Sequence, residues 1–187
     1  VYPDTEKGLK AGQIAAECDK SLRRLGIEII DLYYAHADDR CTPLEESLEA
    51  FDSLTKSGKV RYIGASNYQT WRLAKAIGIS RCNGWAEYCC VQQRYAYLRP
   101  RPSASFAPQV AASSELLDMS TATGLPIIGY APLLKGVLAG RQDKKLWSQY
   151  DWQDSRLRIE ALQAVAKEAG VTQAQVALAW MISGTAN

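Results

Sequence analysis

The chain has 187 residues, 47% hydrophobic and 22% charged, and its 22 basic and 20 acidic side chains leave a formal net charge of +2. That is apolar material enough for one core, and no basic stripe offers nucleic acid or a membrane surface a grip. No run approaches the roughly 20 apolar residues of a membrane helix, and Val1-Tyr2-Pro3-Asp4 has neither the basic nor the apolar part of a secretory leader, so a single soluble, cytoplasmic domain over 1–187 is expected.

The elements follow in chain order. Ile14, Cys18, Leu22 and Leu25 recur at helical spacing until Gly26, and the apolar run Ile29 to Ala35 reads as a strand. Thr42-Pro43-Leu44-Glu45 has the form of a capping box: a hydroxyl cap, a proline at the first helical position and a glutamate three residues after the cap. Leu44, Leu48, Phe51 and Leu54 continue that helix to Ser57-Gly58, and Val60 to Ala65 follows as a strand. A helix near 70–77 leads to a strand at 88–92, and a helix near 110–123, stopped by Gly124, leads to the strand 126–130. A polar loop then runs to about Asp154, before helices around 157–169 and 172–182.

Four helix-strand units in a row predict a parallel α/β sheet, with Val1-Tyr2 as the remnant of another strand. Such a sheet could be open and doubly wound or part of an eight-stranded barrel. An open nucleotide-binding sheet wants G-x-G-x-x-G at a strand-to-helix turn, and no such run occurs, which favours the barrel.

Cys18, Cys41, Cys82, Cys89 and Cys90 show no CxxC spacing, and His36 is the only histidine, which argues against a zinc site. Cys89 and Cys90 would point to opposite faces of a regular strand and are read as buried apolar thiols in a reducing compartment. Asp38 and Asp39 would face water ahead of a helix and favour its N-terminus. The segment Arg94–Pro108 reads equally as a substrate loop and as an exposed proline-rich linker.

Three segments carry a resemblance to the aldo-keto reductases. Ser21-Leu22-Arg23-Arg24-Leu25-Gly26 with Asp31-Leu32-Tyr33-Tyr34-Ala35-His36 resembles S-L-x-R-L-G followed by D-L-Y-x-x-H. Residues 58–68, from Gly58-Lys59 to Ser66-Asn67-Tyr68, resemble G-K-x-R-x-I-G-x-S-N-[FY]. Residues 129–140, from Gly129-Tyr130-Ala131-Pro132-Leu133 to Gly140, resemble Y-S-P-L-x-x-G-x-L-x-G, and Asn83-Gly84-Trp85 with His36–Asp39 points toward the aflatoxin-aldehyde-reductase and aryl-alcohol-dehydrogenase branches.

The resemblance implies a (β/α)8 TIM barrel, incomplete in this chain, holding about strands 3/4 to 7 with their helices. It implies reduction of aldehydes or ketones by hydride from NADPH, with a small carbonyl compound as substrate, and it leaves homo-oligomers open. His36 would be the catalytic histidine at a strand's C-terminal end, orienting the carbonyl. Ser66, Asn67 and Gln92 would hold the nicotinamide carboxamide, which presents one acceptor and two donors to short polar side chains on rigid strand ends. Ser66-Asn67 could instead cap the next helix, and Gln93 competes with Gln92 but should point away from the barrel interior. Tyr130 would stack on the nicotinamide, with a plain core aromatic as its other reading. The backbone around Ala131, Leu133, Lys135, Gly136 and Leu138 would embrace the pyrophosphate, with the cations of Lys135 and Arg141 in reach of phosphate or simply solvated.

The family's proton-donating tyrosine, with its aspartate and lysine, has no counterpart that can be assigned in these residues, nor does the segment that binds the adenosine 2′-phosphate. The expectation is thus a fragment of an enzyme, inactive alone. A catalytically inactive truncated barrel, acting as a nucleotide-binding or protein-interaction module, is the second reading.

Overall fold

The computed structural model describes residues 8–183, so the strand remnant expected at Val1-Tyr2 lies outside the described residues. Helix α1 (Ala11–Leu25) leads to strand β1 (Ile30–Ala35), and α2 (Leu44–Lys56) leads to β2 (Val60–Ser66). Then come α3 (Thr70–Asn83) with β3 (Tyr88–Arg94), and α4 (Ser114–Thr123) with β4 (Ile127–Tyr130). The strands lie in the order β1-β2-β3-β4, with β1 parallel to β2 and β2 parallel to β3, as repeated helix crossovers require. Two further helices, α6 (Gln153–Ala169) and α7 (Gln173–Ser183), follow a short helix α5 (Lys144–Trp147).

The chain divides into two compact units, Val1–Gln93 with Pro108–Ile128, and Arg94–Ala107 with Gly129–Asn187. In the first, α1 buries Ile14 and Cys18, and α2 buries Leu44, Leu48, Phe51 and Leu54, against the side of the sheet that carries Tyr33, Ala35, Ile63, Ala65 and Val91. The alternation of strand side chains puts those five on one face. Phe51 sits between the rings of Tyr33 and Tyr88, at centroid distances of 6.0 and 6.2 Å, and Tyr88 stacks edge-on against Tyr68. On the other face, Gly64 has no side chain because the Tyr34 ring and the Cys90 sulfur lie where a Cβ would make contacts of 2.7 and 3.1 Å.

The second unit has its own core. Leu134, Leu138, Tyr150, Leu162 and Ala177 are buried there together with Ala96 and Leu98, so the first part of the 94–107 segment is tied to this core while Arg99 and residues 101–103 are exposed.

Several local expectations need correction. The capping box does not form: Thr42 turns its hydroxyl to Asp39 Oδ2 at 2.6 Å, Pro43 stands at the cap position, and no side chain caps α2. Helix α4 begins at Ser114, not near Val110, because Ser113 caps it by accepting from the Leu116 N–H. The loop after Tyr130 contains a 3-10 segment, Leu134–Ala139, as well as α5. Against the two-residue step from Ile63 to Ala65, β3 spends three, from Tyr88 to Val91. This bulge breaks the alternation, so Cys90 is buried with its sulfur 3.3 Å from the Tyr34 hydroxyl while Cys89 is exposed, as are Cys41 and Cys82.

Candidate active site

His36 is the first residue beyond β1, Ser66 is the last of β2, and Gln92 lies on β3, in register with Ser66. With Ala35 opposite Ala65, parallel pairing therefore brings the four residues His36, Ser66, Asn67 and Gln92 to the C-terminal ends of neighbouring strands. They are joined rather than merely close. The Asn67 backbone N–H donates to the Gln92 carbonyl at 3.2 Å, and its side-chain Nδ2 donates to the His36 carbonyl at 2.9 Å and to Ser66 Oγ at 3.0 Å. Asn67 Oδ1 accepts the Val110 N–H at 3.1 Å, and Ser66 Oγ approaches Gln92 Oε1 at 3.4 Å.

This arrangement has a chemical consequence. Both Asn67 amide hydrogens are committed, so this side chain has no donor left for a ligand. Ser66 is buried, and its hydroxyl hydrogen points to Gln92. The donors on this edge therefore come from Gln92, half-buried, whose Nε2 carries two hydrogens. Gln93 is buried instead, donating to the Tyr68 carbonyl at 2.7 Å, and faces the helix side. Helix α3 has Gln69 at its cap position with no side-chain bond, so Ser66-Asn67 does not serve as its cap.

His36 is half-buried, and burial lowers its pKa below the ordinary 6.5. At neutral pH its imidazole is uncharged, with one donor and one acceptor nitrogen. The neighbouring acids are not solvated, contrary to expectation. Asp38 pairs with Arg72 Nε at 2.6 Å and with Arg40, its side chain only 8% exposed. Burial alone would raise the Asp39 carboxyl, but hydrogen bonds from the Thr42 hydroxyl and from the N–H groups of Leu9, Cys41 and Thr42 outweigh it and hold the group below the usual carboxylate value.

The second unit contains the other group of candidates. Tyr130, half-buried, ends β4, and its carbonyl accepts the Tyr95 N–H at 3.2 Å. Beyond it the backbone is left-handed at Ala131 (φ 57°), Leu134 (49°), Lys135 (54°) and Gly136 (95°). Among the described residues the one further non-glycine position with positive φ is Asn67, at 57°. Such conformations cost of order 1–3 kcal/mol each and persist where surrounding structure imposes them, which is typical of ligand-holding segments. Lys135 is exposed and Arg141 Nη1 donates to its carbonyl at 3.3 Å, so Arg141 braces the turn. Leu133 is half-buried and Leu138 is in the core, so Leu138 could face a ligand only through its backbone. A cavity of about 770 Å³ opens beside the turn, lined by residues including Val137, Gly140, Gln163, Lys167 and Thr172.

One residue escaped the motifs. Arg94 is 6% exposed, with its guanidinium 4.4 Å over the Phe106 ring and 5.7 Å over the Tyr130 ring. It also bonds the Tyr150 hydroxyl, drawing down a pKa that burial otherwise raises. The available signal was its parity: Arg94 stands two positions after Gln92 on the same strand face.

The family model described as "Aldo/keto reductase family" matches residues 3–187. The chain belongs to the aldo/keto reductase family. It is 32% identical over 187 residues to the uncharacterized oxidoreductase YrpG of Bacillus subtilis (strain 168), covering 97% of this chain and 54% of that one. It is 28% identical over 198 residues to human aflatoxin B1 aldehyde reductase member 2, covering 94% and 52%. It is also 28% identical over 185 residues to L-glyceraldehyde 3-phosphate reductase of Escherichia coli (strain K12), covering 90% and 51%. The chain thus spans about half the length of the curated relatives it matches. A crystal structure carrying the name 2,5-diketo-D-gluconic acid reductase B superposes with a TM-score of 0.72 at 22% identity, covering 98% of this chain and 52% of that one, and shows the shared fold. This aldo/keto reductase chain, with four parallel strands and flanking helices, is an incomplete (β/α)8 barrel.

Proposed function

We propose that the chain is the nicotinamide-facing part of an NADPH-dependent reductase of aldehydes or ketones. The observation that carries this reading is the hydrogen-bonded set Asn67, Ser66 and Gln92 beside His36, at the strand ends where barrel enzymes place their chemistry. The residues fit the group. A carboxamide has one carbonyl acceptor and two N–H donors, and the half-buried Gln92 amide carries both matching kinds of group, two Nε2 hydrogens and the Oε1 acceptor. Bound there, reduced nicotinamide would supply hydride to a carbonyl carbon. Ser66, Asn67 and Gln92 set which ring face is presented, and neutral His36 donates a hydrogen bond from an imidazole nitrogen to the substrate's carbonyl oxygen. What the second unit would contribute rests on the family resemblance alone, which makes Tyr130 the ring that stacks on the nicotinamide. The strained turn from Ala131 through Leu133, Lys135, Gly136 and Leu138 to Arg141 offers backbone groups and two cations to the phosphates. Preference for NADPH over NADH rests on the family resemblance.

Titration of the chain with NADPH, followed by nicotinamide fluorescence, tests the reading: Gln92→Ala should weaken binding by roughly 1–3 kcal/mol, the cost of a lost polar anchor in a desolvated site. Unchanged binding would remove Gln92 from the site. Expressed as these 187 residues, the chain should not reduce 4-nitrobenzaldehyde at a rate typical of the family, because no tyrosine, lysine and aspartate set can be assigned and a positioned acid contributes ~10²–10⁴ in rate. NADPH oxidation at a rate typical of a complete reductase would show that the proton donor lies among these residues after all.

A further inference from the structure

Two bridges tie the segment after β1 to the segment after β2, and the motifs contain only one of them. The first is the Asn67 Nδ2 bond to the His36 carbonyl. The second is an ion pair set further out: Arg72, on the first turn of α3, places Nε 2.6 Å from Asp38 Oδ1, with the two side chains 12% and 8% exposed. Arg72 Nη2 also donates to the Asp39 carbonyl at 2.8 Å, so one guanidinium holds two successive residues of the β1–α2 turn. The other Asp38 oxygen meets Arg40, whose guanidinium lies 5.1 Å over the ring of Trp71. Asp39 is pinned in turn by the Leu9 and Cys41 N–H groups, each at 2.8 Å, and by the Thr42 hydroxyl.

Geometry gives the second bridge its meaning. The Asn67 bond fixes the position of the His36 carbonyl but does not set the direction of the backbone from Asp38 onward. Fixing Asp38 and Asp39 as well determines the path on both sides of the His36 side chain. Burying an ion pair gains little net stability, because desolvation offsets attraction, whereas a planar guanidinium forked between a carboxylate and a carbonyl specifies direction. We propose that Arg72 and Asp38 are positioning residues: their ion pair locks the 36–39 turn onto α3 and so holds the His36 imidazole in one orientation beside Ser66 and Asn67. The benefit to carbonyl reduction rests on the function proposed above; the mechanical claim does not.

The chain holds one histidine, so the imidazole Cε1–H gives a single carbon-proton cross-peak and reports without assignment. The full 187-residue chain, labelled with ¹³C-histidine, would be recorded at a pH where imidazole is neutral, so that the altered charge at position 72 does not enter. Arg72→Gln and Asp38→Asn should broaden or double the cross-peak and add microsecond-to-millisecond exchange, and Arg72→Lys, which keeps charge but not the fork, should fall between them and wild type. As a control, Lys59→Met breaks the exposed Lys59–Asp19 pair and should leave the peak sharp and single. If Arg72→Gln fails to fold, Asp38→Asn and Arg72→Lys decide the matter. A folded variant with an unchanged His36 line shape overturns the proposal and leaves the ion pair a purely structural tie. NADPH titration of wild type separates the two readings: absence of binding would sink the reductase reading, while the His36 result would stand.

Discussion

The two units place candidate residues by different physical means. In the first, side chains do the fixing: the Asn67 side chain bonds the His36 carbonyl, Ser66 Oγ and the Val110 N–H, over a core in which Phe51 touches Tyr33 and Tyr88. In the second, the backbone does it: three non-glycine residues between Tyr130 and Gly136 adopt left-handed conformations, held by buried Leu134 and Leu138 and by the brace from Arg141. A side-chain network suits a ligand recognised by its donor and acceptor pattern. A strained turn that bares backbone groups suits a repeated, charged one such as a pyrophosphate.

The largest expected effect tests whether the first unit depends on its aromatic core. Phe51→Ala removes a fully buried ring and should destabilise the chain by about 3–5 kcal/mol, read as a lowered urea midpoint with the slope unchanged. A loss below ~1 kcal/mol would mean that the Tyr33–Phe51–Tyr88 stack is not the unit's centre.

Next come two substitutions predicted to differ in sign. Asn67→Ala gives up these side-chain hydrogen bonds and puts alanine at φ 57°, so a loss of roughly 2–4 kcal/mol is expected at about 0.5–1.5 per bond. Lys135→Gly relieves a left-handed lysine whose side chain is exposed, and should stabilise by up to ~1 kcal/mol. Thermal denaturation of both variants would settle it, and the contrast between side-chain and backbone fixing collapses if both move the same way.

The smallest effect is the pH dependence of His36. Burial lowers its folded pKa below 6.5, so between those two values the unfolded chain binds more protons, and stability should decline as pH falls through and below 6.5. His36→Gln should flatten that part of the stability profile. An identical slope in wild type and variant would place the imidazole in water.

Much of the fold was legible because it was local. Ile14 and Cys18 on one helical stripe, Gly26 ending the run and Ile63 and Ala65 alternating along a strand are facts of spacing. The site was legible where a motif ran along adjacent positions, as at Ser66-Asn67 or Tyr130-Ala131. What sequence order could not show was who answers whom across space. Thr42 had the form of a cap, yet Asp39 offered its hydroxyl a stronger, charged acceptor. Asp38 read as a solvated acid until α3 brought Arg72 against it from 34 residues away. Arg94 gave no local sign of its aromatic cage, since Phe106, Tyr130 and Tyr150 are scattered along the chain. The amino-acid order alone determined the elements, their parallel arrangement and the chemical types at the strand ends, because these depend on period and composition. The tertiary structure decided the register bulge that exposes Cys89, the buried partners of Asp38 and Arg94 and the donor direction through Asn67, because a long-range hydrogen bond or ion pair is chosen among competitors that only folding assembles.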